Sequence, residues 1–244
     1  MQQFSTIILF LAVFGISACK VTQSAREVIT YTDDNVMGNG HPMQFNLIKG
    51  DGFNYPTYAI WIENMDGDYI KTLYITKSFA SGIFGHEMVG DTVWLKTSGA
   101  SYQPAALPYW THKKGLINGK QLIPTPNHPF VDAYTGATVQ GDFQFNTSTE
   151  NMKEPFRILL EVNQPWDWNK YWTNGKYPNN EAYKHSAQPS MVYAVTIAKN
   201  QSQFYLNPVG HGDPKGESGK LYTNLTTMTS AKEIFKYVSV ELKH

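Results

Sequence analysis

Tyr58-Ala59-Ile60-Trp61-Ile62-Glu63 and Tyr69-Ile70-Lys71-Thr72-Leu73-Tyr74-Ile75-Thr76 flank the short segment Asn64-Met65-Asp66-Gly67-Asp68. Both runs are rich in β-branched and aromatic residues, and Asp66-Gly67 supplies a turn that joins neighbouring antiparallel strands. Alternation in the second run puts Tyr69, Lys71, Leu73 and Ile75 on one face. The other face carries Ile70, Thr72, Tyr74 and Thr76 and is less apolar.

The same pattern recurs downstream. Residues 142–147 alternate as a strand, and 156–163 are apolar enough for a central one. Residues 190–199 place Met191, Tyr193, Val195 and Ile197 on one face. Segments 204–208 and 236–242 read as further strands, with minor candidates at 26–31 and 92–96. Ser230-Ala231-Lys232-Glu233 fits a capping box and predicts one helical turn before the last strand. Two stretches lack this pattern: 78–128, which reads as a long surface excursion, and 164–187. Residues 210–219 are rich in turn formers. About seven or eight strands with long loops predict an all-β chain: a single antiparallel β-sandwich, immunoglobulin- or fibronectin-like, with at most one short helix.

A chain of 244 residues is long enough for a sizeable core. Charged residues make up only 16% and aromatics 14%, a balance that suits an extracytoplasmic β protein. The formal net charge is zero, so no basic surplus points to nucleic acid and no field steers a charged partner.

The single cysteine, Cys19, follows an apolar stretch at 6–16, and Ile16-Ser17-Ala18-Cys19 resembles a bacterial lipobox. That resemblance implies cleavage before Cys19 and a diacylglycerol on its thiol. Residues 1–18 are then a lipoprotein signal peptide, 19–40 a polar tether and 41–244 the β-sandwich domain. The start Met1-Gln2-Gln3 departs from the pattern in having no Lys or Arg. An ordinary signal peptide is the alternative, and the segment is short for a transmembrane span. Two or more acyl chains anchor stably, at about 0.8 kcal/mol per buried methylene. The expected location is the bacterial cell envelope, on the periplasmic or outer-membrane side, and with no second thiol no disulfide holds the fold.

Asp132-Ala133-Tyr134-Thr135-Gly136-Ala137-Thr138 resembles the flavinylation signal of bacterial membrane-associated electron carriers, D-x-x-[ST]-G-A-T. There, an FAD:protein FMN transferase esterifies the phosphate of FMN onto the final threonine, so the resemblance makes Thr138 the acceptor. Gly136 and Ala137 keep the approach narrow, Thr135 and Tyr134 complete the loop, and Asp132 orients it or serves the transferase site. A plain hairpin turn is the other reading.

Further landmarks run in order along 50–242: Pro56-Thr57-Tyr58-Ala59-Ile60-Trp61-Ile62-Glu63 with Asp66-Gly67, then Leu107-Pro108-Tyr109-Trp110, then the motif. Leu159-Leu160-Glu161-Val162-Asn163, Gln188-Pro189-Ser190, Gly210 and Ser230-Ala231-Lys232-Glu233-Ile234 follow. Together they resemble the bacterial family of periplasmic proteins called domain of unknown function 2271. The resemblance implies an envelope β-sandwich associated with covalent flavin and electron transfer, with membrane redox proteins as partners.

A flavin ring needs aromatic or apolar contact and nearby hydrogen-bond donors. The candidates are Trp110 and Tyr109, Tyr134, and the aromatic loop, although any one Trp is more often a core residue. Trp166, Trp168, Tyr171 and Trp172 also allow a different class of function, a glycan-stacking platform on a surface lipoprotein without a redox role. No hydrolase signature and no close histidine pair is present, so an electron carrier or binding protein is expected rather than an enzyme, and no metal. His86-Glu87 and His211-x-Asp213 read as solvated loops. Glu63 and Glu161 sit in apolar strands and are expected to point outward, since an inward carboxyl would have its pKa raised.

Overall fold

Runs as continuously apolar as 57–63 and 156–163 suit strands covered on both faces rather than wetted on one. The computed structural model describes residues 28–33, 41–89, 93–131, 133–136, 141–149 and 152–243. It opens with β1 (Val28–Thr32), β2 (His41–Lys49), β3 (Thr57–Glu63) and β4 (Tyr69–Thr76). A crossing stretch holds α1 (Lys77–Ser81), β5 (Ile83–Phe84), β6 (Glu87–Val89), β7 (Val93–Leu95), β8 (Gly99–Ala100), α2 (Pro108–Lys113), β9 (Leu116–Ile117) and β10 (Lys120–Gln121). The chain returns through β11 (Tyr134–Gly136), β12 (Asp142–Thr149), β13 (Phe156–Asn163), α3 (Glu181–Ser186), β14 (Met191–Ile197), β15 (Gln203–His211), a 3₁₀ turn at Ser230–Glu233 and β16 (Phe235–Leu242).

The fold is all-β, with ten strands in one nearly barrel-shaped sheet ordered β1-β12-β2-β16-β15-β14-β13-β3-β4-β11. Pairing is antiparallel except at the two outermost pairs, β1 with β12 and β11 with β4, which are parallel. β15 joins the halves: residues 203–206 pair with β16, and 207–211 pair with β14. The halves close over one core. Phe45, Phe145 and Val240 from one side meet Tyr58, Ile60, Tyr74 and Leu160 from the other. Tyr74 lies 5.1 Å from Phe145, and Tyr58 lies 5.7 Å from Phe235, ring centre to ring centre.

A second core covers the outer face of β3 and β13. Ala59, Trp61, Ile75, Leu159 and Val192 pack there against Phe79, Leu107, Trp110 and Phe130. The expected surface excursion at 78–128 therefore folds back in part as a covering layer, which explains why β3 is buried along its whole length.

That layer overturns two expectations. Among the described residues there are three short α-helices besides the 3₁₀ turn, where at most one was expected. At five or six residues each, they are too short to show a helical period. Glu63 and Glu161 are fully buried rather than outward, because their face of the sheet meets the layer and not water. Glu161 accepts hydrogen bonds from the N–H groups of Tyr109 (3.1 Å) and Trp110 (2.6 Å) at the start of α2, and from the Ser190 hydroxyl. It thus supplies the cap that Pro108-led α2 lacks in its own sequence. Glu63 accepts from the Trp61 indole at 2.9 Å and lies 3.6 Å from Arg157 and 3.8 Å from Lys113.

Other boundaries shift slightly. The strand expected within 26–31 is β1, which adds to the sheet inside the stretch read as a tether. β15 runs on through Gly210 and His211. Ser230 does not cap its own turn; its hydroxyl bonds Asp167, and Gln188 donates to it at 2.7 Å. Cys19, Asp132, Ala137 and Thr138 lie outside the described residues. Among the described residues, no helix is long and apolar enough to cross a membrane.

Register fixes which strand ends share a pole. Gly136 at the end of β11 lies beside Thr76 at the end of β4, and Thr76 Oγ1 accepts from Tyr58 N near the start of β3 (3.4 Å). Asn163, ending β13, pairs with Thr57. Asp142 begins β12 beside Val28 of β1, and its carboxylate accepts from Lys49 N at 3.0 Å. The β3–β4 turn marks the opposite pole, where the Lys113 ammonium at the end of α2 donates to Gly67 O at 2.7 Å.

Candidate functional site

A cleft of about 500 Å³ opens at the pole where β4, β11 and β13 end. Four separate segments line it: Asn54, Tyr55 and Thr57 before and at the start of β3; Ser78, Phe84, Gly85 and His86 after β4; Gln103; and Pro165, Trp166 and His185 from the aromatic loop. Most of its surface is apolar, with a few amide, hydroxyl and imidazole groups converging on it, the usual make-up of a small-molecule site.

Two of its aromatics are held in an unusual backbone conformation. Tyr55 has φ of 50° and Trp166 φ of 57°, both in the left-handed region that bulky residues avoid. The loop fixes Trp166: its N–H donates to His185 O, and its carbonyl accepts from Trp168 N, each at 3.0 Å. Tyr55 is held on both sides, by Pro56 and by Asn54, whose N–H donates to Gln164 Oε1 at 2.6 Å. Strain of this kind collects at functional positions, where surrounding structure holds it. Both residues are exposed, Tyr55 at 64% and Trp166 at 42%. The His86 ring meets Trp166 edge-on at 5.3 Å. His185, at the back of the cleft, is buried, and that burial pushes its pKa down to about 4 against the opposing pull of Glu181. It is a neutral imidazole at ordinary pH, able to make a hydrogen bond without bringing a positive charge.

The expected site residues divide clearly. Trp110 has no exposed surface; its indole N–H donates to Thr72 Oγ1 at 2.9 Å, and its ring packs against Phe79 and Phe130. Tyr109 packs beside Trp61 in the same layer. Neither ring is free to meet a ligand. Of the four aromatic-loop candidates, Trp166 lines the cleft. Trp172 is 5% exposed and, with Trp168, packs around Tyr183. Tyr171 is exposed, but the Lys176 ammonium sits over its ring at 3.2 Å. Trp172 and Tyr183 thus belong to the inner core, with Trp168 and Tyr177 packed against it. Among the described residues no group of three metal-ligating side chains converges.

Within the motif, Thr135 is exposed and Gly136 is buried. A Cβ on Gly136 would lie 2.6 Å from the Tyr74 hydroxyl, so this glycine is required by close approach to a core ring. β11 is an edge strand, so one side of it is unpaired by the sheet. Residues 137–140 connect Gly136 to Gly141, and the flanking strand ends of β11 and β12 both belong to the cleft pole.

Sequence reasoning missed Asn54, Tyr55, Ser78, Phe84, Gln103 and His185, and read His86 as a solvated loop residue. They come from distant segments with no shared pattern, and only Tyr55-Pro56, an aromatic ahead of a proline, carried any local signal. No family model, curated protein or solved structure matches the chain.

Proposed function

We propose that this protein is a lipid-anchored flavoprotein of the bacterial cell envelope, resembling the domain-of-unknown-function 2271 family. In this reading it carries FMN through a phosphoester on Thr138 and relays electrons between membrane redox proteins and an acceptor outside the cytoplasm. The observation that carries the reading is that the motif and the cleft share one pole. Gly136, two residues before Thr138, lies beside Thr76; Ser78 of the cleft is two residues beyond Thr76. A phosphoester on Thr138 would put FMN within a few residues of this pole, whose cleft has a size and character suited to an isoalloxazine ring.

The residues fit the group. Trp166 and Tyr55 offer aromatic faces, Phe84 an apolar wall, and Asn54, Ser78, Gln103 and His86 polar atoms for a heterocycle edge. Bound flavin supplies reversible one- and two-electron transfer. The protein supplies position, exclusion of water and donors that favour the reduced ring. Attachment itself is a phosphoryl transfer: Thr138 Oγ displaces AMP from FAD, its proton leaves to a base, and FMN remains as the ester. An acceptor next to an edge strand is open to a second enzyme. The two facing halves joined through β15 further suggest a single β-sandwich closed along one side.

The test is intact mass of the mature chain co-expressed in an envelope compartment with the transferase. The expected gain is one FMN less water, lost in Thr138→Ala. An unmodified wild type beside a transferase active on a known acceptor would sink the proposal. Polysaccharide binding that Trp166→Ala abolishes, without an adduct, would point instead to the glycan-binding class.

A further inference from the structure

The strands β1, β12, β2, β16 and β15 are neighbours in the sheet and turn an outward face that supplies none of the cleft-lining residues. Alternation sends Phe45, Phe145, Leu206, Val238 and Val240 into the inner core and points the residues between them away from it. Register aligns these outward residues in rows across the strands. One row is Thr30, Gln144, Asn46, Ser239 and Tyr205. The next is Thr32, Asn146, Gln44, Glu241 and Gln203. Ser239 apart, all are exposed or half-exposed. At about 4.8 Å between strands, each row is about 19 Å long.

Two features set this face apart. Gln44 and Asn46 on β2 lie directly opposite Asn146 and Gln144 on β12, so four amides sit side by side. Gln144 Nε2 donates to Asn46 Oδ1 at 3.0 Å, and Asn146 Nδ2 donates to Thr32 Oγ1 at 3.4 Å. Those bonds orient the amides, and each amide has more donor and acceptor positions than they use. Beside them Tyr237, also outward on β16, meets the Tyr205 ring edge-on at 5.9 Å, and the two residues are 43% and 51% exposed. An ordinary wetted face mixes in charged side chains of both signs. Here the only charge in the two rows is Glu241, and the Lys243 ammonium lies 2.8 Å from it. Lys49 and Lys236 mark the margin beyond Tyr237.

That chemistry selects the ligand. Nucleic acid needs a row of cations, and a stable protein interface needs an apolar centre, and the two rows offer neither. Neutral sugars carry hydroxyls that both donate and accept, as amides do. They also carry apolar C–H faces, for which tyrosine supplies a large, rigid surface at low entropic cost. We infer that the outward face of β12, β2, β16 and β15 binds an uncharged polysaccharide. Tyr205 and Tyr237 stack on its rings, and the amides of Gln44, Asn46, Gln144 and Asn146 bond its hydroxyls. The inference goes beyond the flavin reading and is independent of it, since it uses neither the cleft nor Thr138 nor Cys19.

The test is migration of the mature protein through native gels that contain mixed-linkage β-glucan, galactomannan, xylan or dextran, with heparin as the charged comparison. At least one neutral polymer should retard the wild type, and heparin should not. Replacing both rings, Tyr205→Ala with Tyr237→Ala, should weaken that binding about tenfold or more. Gln144→Ala, on a different strand, should weaken it by a smaller factor, and circular dichroism melts should show both proteins folded. A wild type retarded by none of the neutral polymers, or by heparin as strongly as by any of them, overturns the proposal. Retardation that Trp166→Ala abolishes and the double tyrosine variant keeps would put the sugar in the cleft and overturn it too. A wild type that no polymer retards and that forms a dimer dissolved by Tyr237→Ala assigns the face to a second copy of the chain, again against the proposal.

Discussion

Trp110 and Trp166 differ by environment alone. Trp110 fills the covering layer, so Trp110→Ala should cost about 3–5 kcal/mol of unfolding free energy. Trp166→Ala removes a partly exposed ring from a strained position and should change stability by about 1 kcal/mol or less. If the ring stands beside flavin, the same change should raise flavin fluorescence and shift its potential in loaded protein. A Trp166→Ala protein as destabilised as Trp110→Ala would make Trp166 a packing residue instead. Two buried titratable groups set opposite pH trends. Burial pushes Glu161 up to about 7, against the pull of Ser190 and two backbone N–H groups. Its stabilisation is fully present below its unfolded value of 4.5 and is lost as pH rises toward 7. His185 has its pKa lowered from 6.5 to about 4, so its contribution is present above 6.5 and is lost as pH falls toward 4. Denaturant melts should show Glu161→Gln gaining on wild type as pH rises from 4.5 to 7, and His185→Asn gaining as pH falls from 6.5 to 4. Reversed trends would contradict the burial of either group.

At the scale of the element, β11 is only three residues long and pairs with one strand, β4. Its attachment depends on the contact between Gly136 and Tyr74. Gly136→Ala pushes a methyl into a fully buried ring and should cost about 1–3 kcal/mol. Thr135→Ala, on the exposed side, should change little. Hydrogen exchange would show faster exchange at β11 in Gly136→Ala ahead of any global loss, because an edge strand opens locally. Unchanged protection there would mean that another contact holds the strand.

Across the whole molecule, alternation along β3 and β13 sends successive residues into two different cores. Ile60 and Leu160 belong to the inner one, Trp61 and Leu159 to the outer. Neither core can empty while those strands stay ordered. Urea unfolding followed by tryptophan fluorescence, which samples Trp61 and Trp110, should therefore coincide with loss of far-UV circular dichroism. An earlier fluorescence transition would show that the covering layer melts separately.

The sequence by itself determined the strands that carry strong local pattern. Both arms of the β3–β4 hairpin, β13 and the Asp66-Gly67 turn are legible because β-branched alternation and a short turn are properties of neighbouring residues. Tertiary structure alone decided the inward direction of Glu63 and Glu161, since alternation gives two faces but does not say that a distant segment covers the second. It alone decided that Trp110 is core and Trp166 is exposed, because burial depends on what folds over a ring rather than on the ring. It alone assembled the cleft from residues 54–57, 78–86, 103 and 165–185, since only the pairing of β3, β4, β11 and β13 brings those strand ends to one pole.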